Sequence, residues 1–343
     1  MSSQLSIQEL RSLPKIDLHR HLDCSMRWST LLEIATTLKL DFPQNVYQQH
    51  KHFLITEPMV NLGAVLNKFL VAQKVLASTE ILERLAYEVC EDAFNDGVRI
   101  LELRYAPTFI TDGHPELSFE KIHQAFLKGV AHAQKKMPIA VGLICILQRT
   151  LPIEKVAYVT DFAIENKDTF IALDLADNEE SGEPKLFAQN FSKAKSHGLH
   201  ITIHTGESPS PQSGLWIKEA VELLDAERLG HGVQIIHYPE LIEFVKKNNI
   251  TLEVCPYSNY LTQAFKTYED HPLKKLYDLQ VPLTLNSDDP GIFASTLTDE
   301  YIIAQKYHDF THEHFNNCLK QAFKASFISQ AEKEKVMKGF FNG

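Results

Sequence analysis

Short, nearly all-apolar runs recur along the chain, and the stretches between them carry apolar residues three or four positions apart. A continuous apolar run is typical of a parallel strand covered on both faces, whereas the wider spacing is typical of an amphipathic helix. The pattern predicts eight strands, at residues 15–23, 99–107, 139–147, 170–176, 200–204, 228–231, 251–255 and 282–286.

Helical spacing fills most of the remaining chain. It predicts a short helix or turn at 6–11 and helices at 28–40, from 62 onward, and at 79–95, 117–136, 153–167, 185–197, 214–225, 238–248, 268–279 and 296–340. Residues 41–60 contain Pro43, Pro58 and several polar side chains. We therefore expect an irregular lid or loop at 41–60.

The alternation of strands and helices defines the fold class. Eight strands separated by helices favour an α/β fold, a closed (β/α)8 TIM barrel with extra helices. A doubly wound open sheet is the alternative, but no GxGxxG phosphate signature follows any predicted strand. No repeat, low-complexity tract or break in composition divides the sequence, so we expect a single barrel domain over residues 1–343.

Composition and charge limit the partners of this barrel. The formal net charge of −10 repels nucleic-acid phosphates, so a small uncharged or cationic substrate is easier to accommodate. The five cysteines are widely spaced without a CxxC pair, which argues for a reducing compartment and against a disulfide framework. No apolar run has the length of a membrane span, and the first residues lack a signal-peptide pattern. We expect a cytoplasmic protein without membrane or nucleic-acid partners.

Polar side chains stand where the predicted strands end. The first strand runs into His19 and His21, whose i and i+2 spacing directs both imidazoles to one face. His204, His231 and Asp288 follow at the ends of later strands. Each of these residues alone fits an ordinary structural role. Because the carboxyl ends of barrel strands meet at one mouth, the whole set favours a common site.

The residue types at this mouth favour a metal ion. The imidazoles of His19, His21 and His204, with one carboxylate from Asp288, make a nitrogen-rich set with an open position, the pattern of a catalytic zinc site. Barrel hydrolases with two metals commonly bridge them with a modified lysine on a central strand. The fourth strand is followed by no lysine before Lys185. We therefore expect one zinc ion per chain.

Two further groups remain for proton transfer. Glu207 follows His204 closely in the sequence and can act as an acid if its pocket is partly desolvated. His231 can take a proton from a metal-activated water or stabilise the ion that forms. We expect these two residues to be catalytic in a metal-dependent hydrolase.

Seven segments make the sequence similar to the adenosine/AMP deaminase family, and most closely to its adenosine deaminases. They follow the family's order over nearly the whole chain and read PKIDLHRHLD, LELRYAP, DLA, HTGE, RLGHG, EVCPYSN and NSDDP. The resemblance implies that a zinc-activated water attacks C6 of a purine and that ammonia leaves. The expected function is conversion of adenosine, or an adenosine-like purine nucleoside, to the inosine-type product.

The resemblance also implies roles for individual side chains. By motif match, the three imidazoles and the carboxylate named above would hold the zinc. Glu207 would protonate purine N1, and His231 would orient and deprotonate the water. Asp289 would hydrogen-bond the base at N7, and Asp23 would approach the ribose.

An apolar stripe made by Leu62, Val65, Leu66 and Phe69 has two interpretations. Core packing is the usual one for such a stripe. The stripe also falls where the resemblance implies an apolar lid over the substrate. We therefore expect Leu62, Leu66 and Phe69 to contact the substrate.

Two positions depart from the family pattern and put the substrate's identity in question. Asp177 stands where a glycine usually follows Asp-Leu-Ala and offers its backbone N–H to purine N3. Cys24 stands where a glycine usually follows His-Leu-Asp. We predict that Asp177 accepts a hydrogen bond from a donor on the substrate, such as a 2-amino group or an altered 5′ substituent.

Two other functions stay open at this stage. One is deamination of another aminated heterocycle: adenine, a 5′-substituted or N6-methyl adenosine, or a pterin-like ring. The other is a non-catalytic, metal-binding scaffold. A scaffold predicts loss of Glu207 or His231, and the sequence retains both.

Overall fold

A computed structural model describes residues 4–340 of the chain. Within these residues eight strands form one sheet. The strands, β1 to β8 in chain order, are Lys15–His21, Val98–Tyr105, Ala140–Gln148, Phe170–Ala176, His200–Thr205, Arg228–His231, Thr251–Val254 and Leu283–Leu285.

The same described residues contain seventeen α-helices. In chain order α1 to α17 are Ile7–Ser12, Trp28–Thr37, Val46–Phe53, Leu62–Gln73, Thr79–Asn95, Pro107–Gly113, Phe119–Lys136, Ile153–Glu165, Ala188–Ser196, Ser213–Leu224, Pro239–Lys247, Pro256–Leu261, Leu273–Asp278, Pro290–Phe293, Leu297–His308, His312–Ala325 and Gln330–Met337. Short 3-10 helices lie at Glu179–Ser181, Pro184–Phe187 and Val233–His237.

The sheet closes on itself to form a barrel. Every pair from β1–β2 to β7–β8 is parallel, and the strands are neighbours in chain order. At the seam between β8 and β1, Arg20 forms a parallel bridge with Asp288. This topology confirms the predicted (β/α)8 TIM barrel with extra helices. The extent of one domain over residues 1–343 stays a prediction.

Local sequence explains the helices that cover the barrel. Ser78 and Ser118 cap α5 and α7 by accepting backbone hydrogen bonds in the first turn. The two helices pack on each other, and Gly129 allows their close approach, since a Cβ there would lie 2.2 Å from Glu83 O. The strands behind them are buried almost throughout, as their continuous apolar runs predict.

The prediction of an irregular segment at 41–60 is wrong in its middle, where α3 forms. The Asn45 side chain accepts hydrogen bonds from Tyr47 N and Gln48 N and so caps the helix, and Phe53 is buried at its end. The predicted helix at 268–279 is shorter, being α13 alone, and the stretch at 296–340 is divided into α15, α16 and α17. The helix α3 thus forms despite its polar composition, because one cap and one buried aromatic ring stabilise it.

Two further properties concern the described part of the chain. Residues 4–340 contain no helix that is both long and apolar enough to cross a bilayer. All five cysteines are buried free thiols.

Candidate metal and active site

The metal ligands predicted from the sequence meet at the seam that closes the barrel. The Asp288 carbonyl accepts from His21 N–H, and Asp288 N–H donates to the His19 carbonyl, both at 2.8 Å. The pairing that joins β8 to β1 therefore also holds the Asp288 carboxylate beside the two imidazoles. His204 reaches the same point from β5, and its Nε2 lies 3.2 Å from His21 Nε2.

The spacing of these atoms fits a tetrahedral metal ion. Four donors bound about 2.0–2.1 Å from such an ion lie about 3.3 Å from one another. His19 Nε2 and His21 Nε2 lie 3.2 and 3.4 Å from Asp288 Oδ1. His19 Nε2 is also buried without a hydrogen-bond partner, and a bound ion would satisfy it.

His231 lies close to these ligands but farther from the Asp288 carboxylate than His19 and His21 do. The donors fall into two overlapping groups that share Asp288: His19, His204 and His231 in one, and His21 and Asp289 in the other. His231 Nε2 is 3.8 Å from Asp288 Oδ2, farther than His19 and His21 are from Oδ1. Distance therefore favours His21 over His231 as the third imidazole ligand.

Carboxylates behind two of the imidazoles fix the direction of their lone pairs. His19 Nδ1 donates to Glu253 Oε2 at 2.7 Å, and His204 Nδ1 donates to Asp174 Oδ2 at 2.9 Å. Each ring then presents the Nε2 lone pair to the shared centre. Burial is the main cause that holds the pKa of His204 and that of His21 below the ordinary value. Neutral rings are the form that binds a metal.

Arg104 joins the two supporting carboxylates. It donates to Asp174 Oδ2 and to Glu253 Oε2, each at 2.8 Å. Glu253 Oε1 also lies 2.6 Å from Arg228 Nε and accepts from the Thr202 hydroxyl at 3.0 Å. Burial raises the pKa of Glu253, but the two guanidinium groups outweigh burial and hold that pKa well below its usual range. Glu253 therefore stays ionised behind the metal ligands.

Local backbone strain is concentrated at the mouth. His231, Asp288 and Asp177 have φ angles of 60°, 60° and 83°, in the left-handed region. A non-glycine residue there costs of order 1–3 kcal/mol, and such strain clusters at functional sites. Gly230 has a different role, because a Cβ at that position would lie 2.9 Å from His19 Cε1. Glycine leaves room for the imidazole.

Glu207 lies buried on the loop after β5. Its Oε1 accepts from the Thr262 hydroxyl at 2.8 Å, and its Oε2 lies 3.5 Å from His231 Nε2. Burial, followed by the charge of Asp288, raises the pKa of Glu207 to about 8, although the Thr262 hydrogen bond lowers it. A carboxyl group that keeps its proton near neutral pH is suited to donate it.

Glu179 holds the backbone that carries this carboxyl group. Its oxygens accept from the N–H groups of Gly206, Glu207 and Ser208 at 2.7, 3.0 and 3.1 Å. Glu179 is itself buried. Charge-assisted bonds to three consecutive amides fix the conformation of the loop.

Two predicted substrate contacts have buried oxygens without partners. Asp23 Oδ1 and Asp289 Oδ1 make no hydrogen bond with the described residues. Burial raises the pKa of Asp23 to about 7. Burial, together with the neighbouring charges of Asp288 and Asp23, raises the pKa of Asp289 well above its usual range. Both carboxyl groups can therefore offer a proton and a free polar atom to a ligand.

Two cavities, both bordered by α4, open at the mouth. The Asp23 cavity has a volume of about 210 Å³ and is lined by residues that include His21, Asp23, Cys24, Leu66, Phe69 and Asp177. The Glu207 cavity has a volume of about 470 Å³ and is lined by residues that include Leu62, Asn67, Glu207 and Thr262. The three apolar residues predicted as a lid thus each border a cavity. Their contact with substrate stays a prediction.

The Asp177 side chain is already held by the protein. Its Oδ2 accepts from Gln148 Nε2 at 3.1 Å and from the Thr150 hydroxyl at 2.5 Å. Its Oδ1 accepts from Asn178 N–H at 2.7 Å. Because Asp177 borders the Asp23 cavity, its carboxylate lies on the side of the mouth predicted for the sugar.

Several residues that support the site have no role in the sequence-based prediction. Glu253 carries a usable signal, because a charge inside an apolar strand requires buried partners. Asn259 and Thr262 carry none, since polar residues are common after a strand. Their roles depend on contacts with distant loops.

The family model described as adenosine deaminase matches residues 14–341. The adenosine deaminase of Plasmodium knowlesi is 32% identical over 335 residues, which cover 96% of this chain and 91% of that protein. The adenosine deaminase of Clostridium botulinum (strain Kyoto / Type A2) is 35% identical over 340 residues, which cover 97% and 98%.

A solved structure agrees with these relatives. The Arabidopsis N6-mAMP deaminase has a TM-score of 0.85 to this chain at 28% identity, over 97% of this chain and 99% of that one. The motif resemblance found in the sequence is thus confirmed over almost the full length. This chain is an aminohydrolase that belongs to the adenosine deaminase family.

Proposed function

We propose that this protein is a zinc-dependent hydrolytic deaminase that converts adenosine, or a closely similar purine nucleoside, to the inosine-type product and ammonia. The observation that carries the proposal is Glu207, a buried carboxyl group beside the candidate metal ligands whose raised pKa favours the protonated form. The names of the sequence relatives supply the substrate class.

The ligand set supports zinc as the ion, one per chain. His19, His21, His204 and Asp288 together offer three imidazoles and one carboxylate, a set typical of catalytic zinc. Magnesium and calcium prefer oxygen ligands. When bound, zinc lowers the pKa of a water to about 7 and so supplies a nucleophile at neutral pH.

Glu207 and His231 are placed for the proton and water steps. Thr262 engages Glu207 Oε1, which leaves Oε2 to carry the proton to purine N1. Protonation at N1 makes C6 electrophilic. The oxygen of water bonds to C6, the bond from C6 to the exocyclic nitrogen breaks, and ammonia leaves. One proton of the water restores the Glu207 carboxyl group, and the other leaves on the ammonia. His231 Nε2, near Glu207 Oε2 and Asp288 Oδ2, orients the attacking water.

Asp289 and Asp23 would hold the nucleoside. Purine N7 accepts hydrogen bonds only, so its partner has to donate, and the raised pKa of Asp289 keeps a proton available for that. The unpartnered Asp23 Oδ1 suits a ribose hydroxyl, which both donates and accepts.

The lining of the cavities favours a nucleoside over a nucleotide. None of the described residues that line the Asp23 or Glu207 cavities is a lysine or arginine. Asp23 and Asp177 border one cavity, and Glu180 and Glu207 border the other. A 5′-phosphate carries about −1.5 to −2 charges at neutral pH and is usually recognised by cationic side chains. It would meet carboxylates here.

The test is a steady-state comparison of adenosine, AMP, N6-methyl-AMP and adenine with zinc-loaded enzyme. We expect kcat/KM for adenosine to exceed that for AMP by about 100-fold or more, equivalent to about 2.7 kcal/mol. Glu207→Gln should retain zinc and lose turnover. AMP as the better substrate would contradict the nucleoside assignment. Retained turnover in Glu207→Gln would contradict the acid role, and zinc without ammonia release from any purine would indicate the scaffold.

The position of Asp177 favours one second candidate, a 5′-modified adenosine. Asp177 borders the same cavity as Asp23 and Cys24, so a donor at the 5′ position would meet its carboxylate. The test compares adenosine with 5′-amino-5′-deoxyadenosine in the wild type, Asp177→Asn and Asp177→Gly. Equal relative kcat/KM values in all three proteins would exclude this candidate.

A further inference from the structure

We propose that Asn259 and His271 are positioning residues that fix the tautomer of His231. The Asn259 amide and the His271 imidazole make His231 present an N–H group, and not a lone pair, to the reaction centre. The catalytic consequence rests on the function proposed above. The tautomer itself follows from a chain of hydrogen bonds that begins at a backbone amide.

The chain begins at the first residue of α13. Leu273 N–H donates to His271 Nδ1 at 3.2 Å. A backbone amide can only donate, so Nδ1 accepts and the neutral ring carries its proton on Nε2. His271 is buried, and burial is the main cause that holds its pKa well below the ordinary value. The neutral ring therefore has one defined donor, Nε2–H.

Asn259 passes this orientation on. His271 Nε2 lies 3.1 Å from Asn259 Oδ1, the only atom of the amide group that can accept its proton. The other end of the amide, Nδ2, then faces His231 Nδ1 at 3.1 Å. Asn259 is fully buried between the two rings. A rotation of the amide by half a turn would place donor against donor on the His271 side.

His231 receives the last bond of the chain. Asn259 Nδ2 can only donate, so His231 Nδ1 accepts and the proton of the neutral ring lies on Nε2. Nε2 is the atom near Glu207 Oε2 and Asp288 Oδ2, at 3.5 and 3.8 Å. His231 therefore donates to the attacking oxygen and cannot take a proton at that nitrogen. This replaces the deprotonation role implied by the family resemblance.

The partner at Nδ1 also sets the tautomer of the neighbouring rings, but there it places the proton on Nδ1. His19 and His204 meet carboxylates at Nδ1, which place their protons on Nδ1 and their lone pairs on Nε2. His231 meets an amide N–H at Nδ1. The group behind each ring thus separates metal ligands from a hydrogen-bond donor, even though the three imidazoles converge.

Asn259→Asp is the variant that reverses the tautomer. The carboxylate has nearly the same shape and accepts from both rings, so it retains the bond from His271 and draws the His231 proton to Nδ1. We expect kcat to fall about 10²- to 10⁴-fold, the upper value being that of a comparable tautomer reversal in a serine protease. Zinc content and KM should stay within about twofold, because neither residue binds the metal or the substrate.

His271 supplies the matched pair of variants. His271→Leu removes the donor that orients the amide, and we expect kcat to fall about 10-fold, in the range for supporting residues behind a metal site. His271→Gln retains an N–H donor that can face Asn259 and should recover most of the rate. A merely structural role predicts that stability and kcat fall together in both variants. Our proposal predicts that His271→Leu has a lower kcat than His271→Gln although the two variants are similarly stable.

Imidazole ¹⁵N spectra read the tautomer without turnover. The wild type is recorded zinc-loaded and after chelation, and the His231 signals are assigned by their loss in His231→Asn. We expect an unprotonated Nδ1 and a protonated Nε2 in the wild type, and the reverse in Asn259→Asp. A protonated Nδ1 in the wild type would overturn the proposal, as would an undiminished kcat in a folded, zinc-bound Asn259→Asp. Because the spectra need no substrate, they test the tautomer of His231 even if the deaminase assignment is wrong.

Discussion

The two sides of the mouth are built differently. On the ligand side, Glu253, Asp174 and Arg104 are completely buried on strands and hold one another in ion pairs. On the substrate side, formed by α4 and the loop after β4, Leu66 and Asp177 are half-buried. The ligand side fixes the reaction because removing any one charge leaves another unpaired in the interior. The substrate side can vary at little cost in stability, so substrate choice belongs there.

Glu253→Gln tests the ligand side and should have the largest effect. The new amide would place an N–H₂ group against donors from His19, Arg104, Thr202 or Arg228. We expect the free energy of unfolding to fall by about 3–5 kcal/mol and metal affinity to fall about 10- to 100-fold. Denaturant unfolding and zinc titration measure these changes. The exposed Glu243→Gln serves as control and should have little effect on either quantity. An effect as small in Glu253→Gln would contradict the claim that the ligand side is rigidly held by buried ion pairs.

Thr262→Val tests the Glu207 carboxyl group, which lies between the two sides. Its hydroxyl lowers the pKa of Glu207 from the value that burial would give, so the variant should raise that pKa above about 8. Activity requires protonated Glu207 and is lost as pH rises through its pKa. The alkaline limb of the pH–rate profile should therefore move to higher pH, while kcat falls about 10-fold because Glu207 loses its fixed rotamer. Thr262→Ser should retain the wild-type profile, and a shift toward lower pH in Thr262→Val would refute this account.

Leu66→Ala tests the substrate side. Leu66 borders the Asp23 cavity and is only half-buried. The lost apolar contact is worth about 1–1.5 kcal/mol, so we expect KM to rise about 5- to 10-fold with kcat and zinc content unchanged. The exposed Leu223→Ala on α10 is the control. A large loss of stability or of bound metal in Leu66→Ala would show that α4 belongs to the ligand side.

A pair of variants at Asp177 should give the smallest effect. Asp177 has φ of 83°, a region that glycine adopts without strain and alanine does not. Both Asp177→Gly and Asp177→Ala lose the bonds to Gln148 and Thr150. Asp177→Ala should therefore unfold with about 1 kcal/mol less free energy than Asp177→Gly, as thermal denaturation can measure. Equal stabilities would show that the backbone relaxes at this position.

The sequence predicts the ligand side better than the substrate side. His19, His21, His204 and Asp288 end strands whose apolar runs are readable, and a barrel gathers strand ends at one mouth. On the substrate side, the apolar stripe of α4 is compatible with core packing and with a lid at once. The helix at Val46–Phe53 was missed because its cap and its buried end lie in a segment of polar composition.

What the sequence by itself determined is the barrel, because it depends on the periodicity of single segments, and a set of candidate metal ligands, because they are residue types at strand ends. The reaction type came from the resemblance of the seven motifs to a known family. Only the tertiary structure decided which nitrogen of each imidazole carries the proton. His19 and His204 meet carboxylates, and His231 meets Asn259, across separations of 30 or more residues for the first two rings and 28 for the third. A histidine side chain has the same composition in either tautomer, and its hydrogen-bond partner alone selects between them.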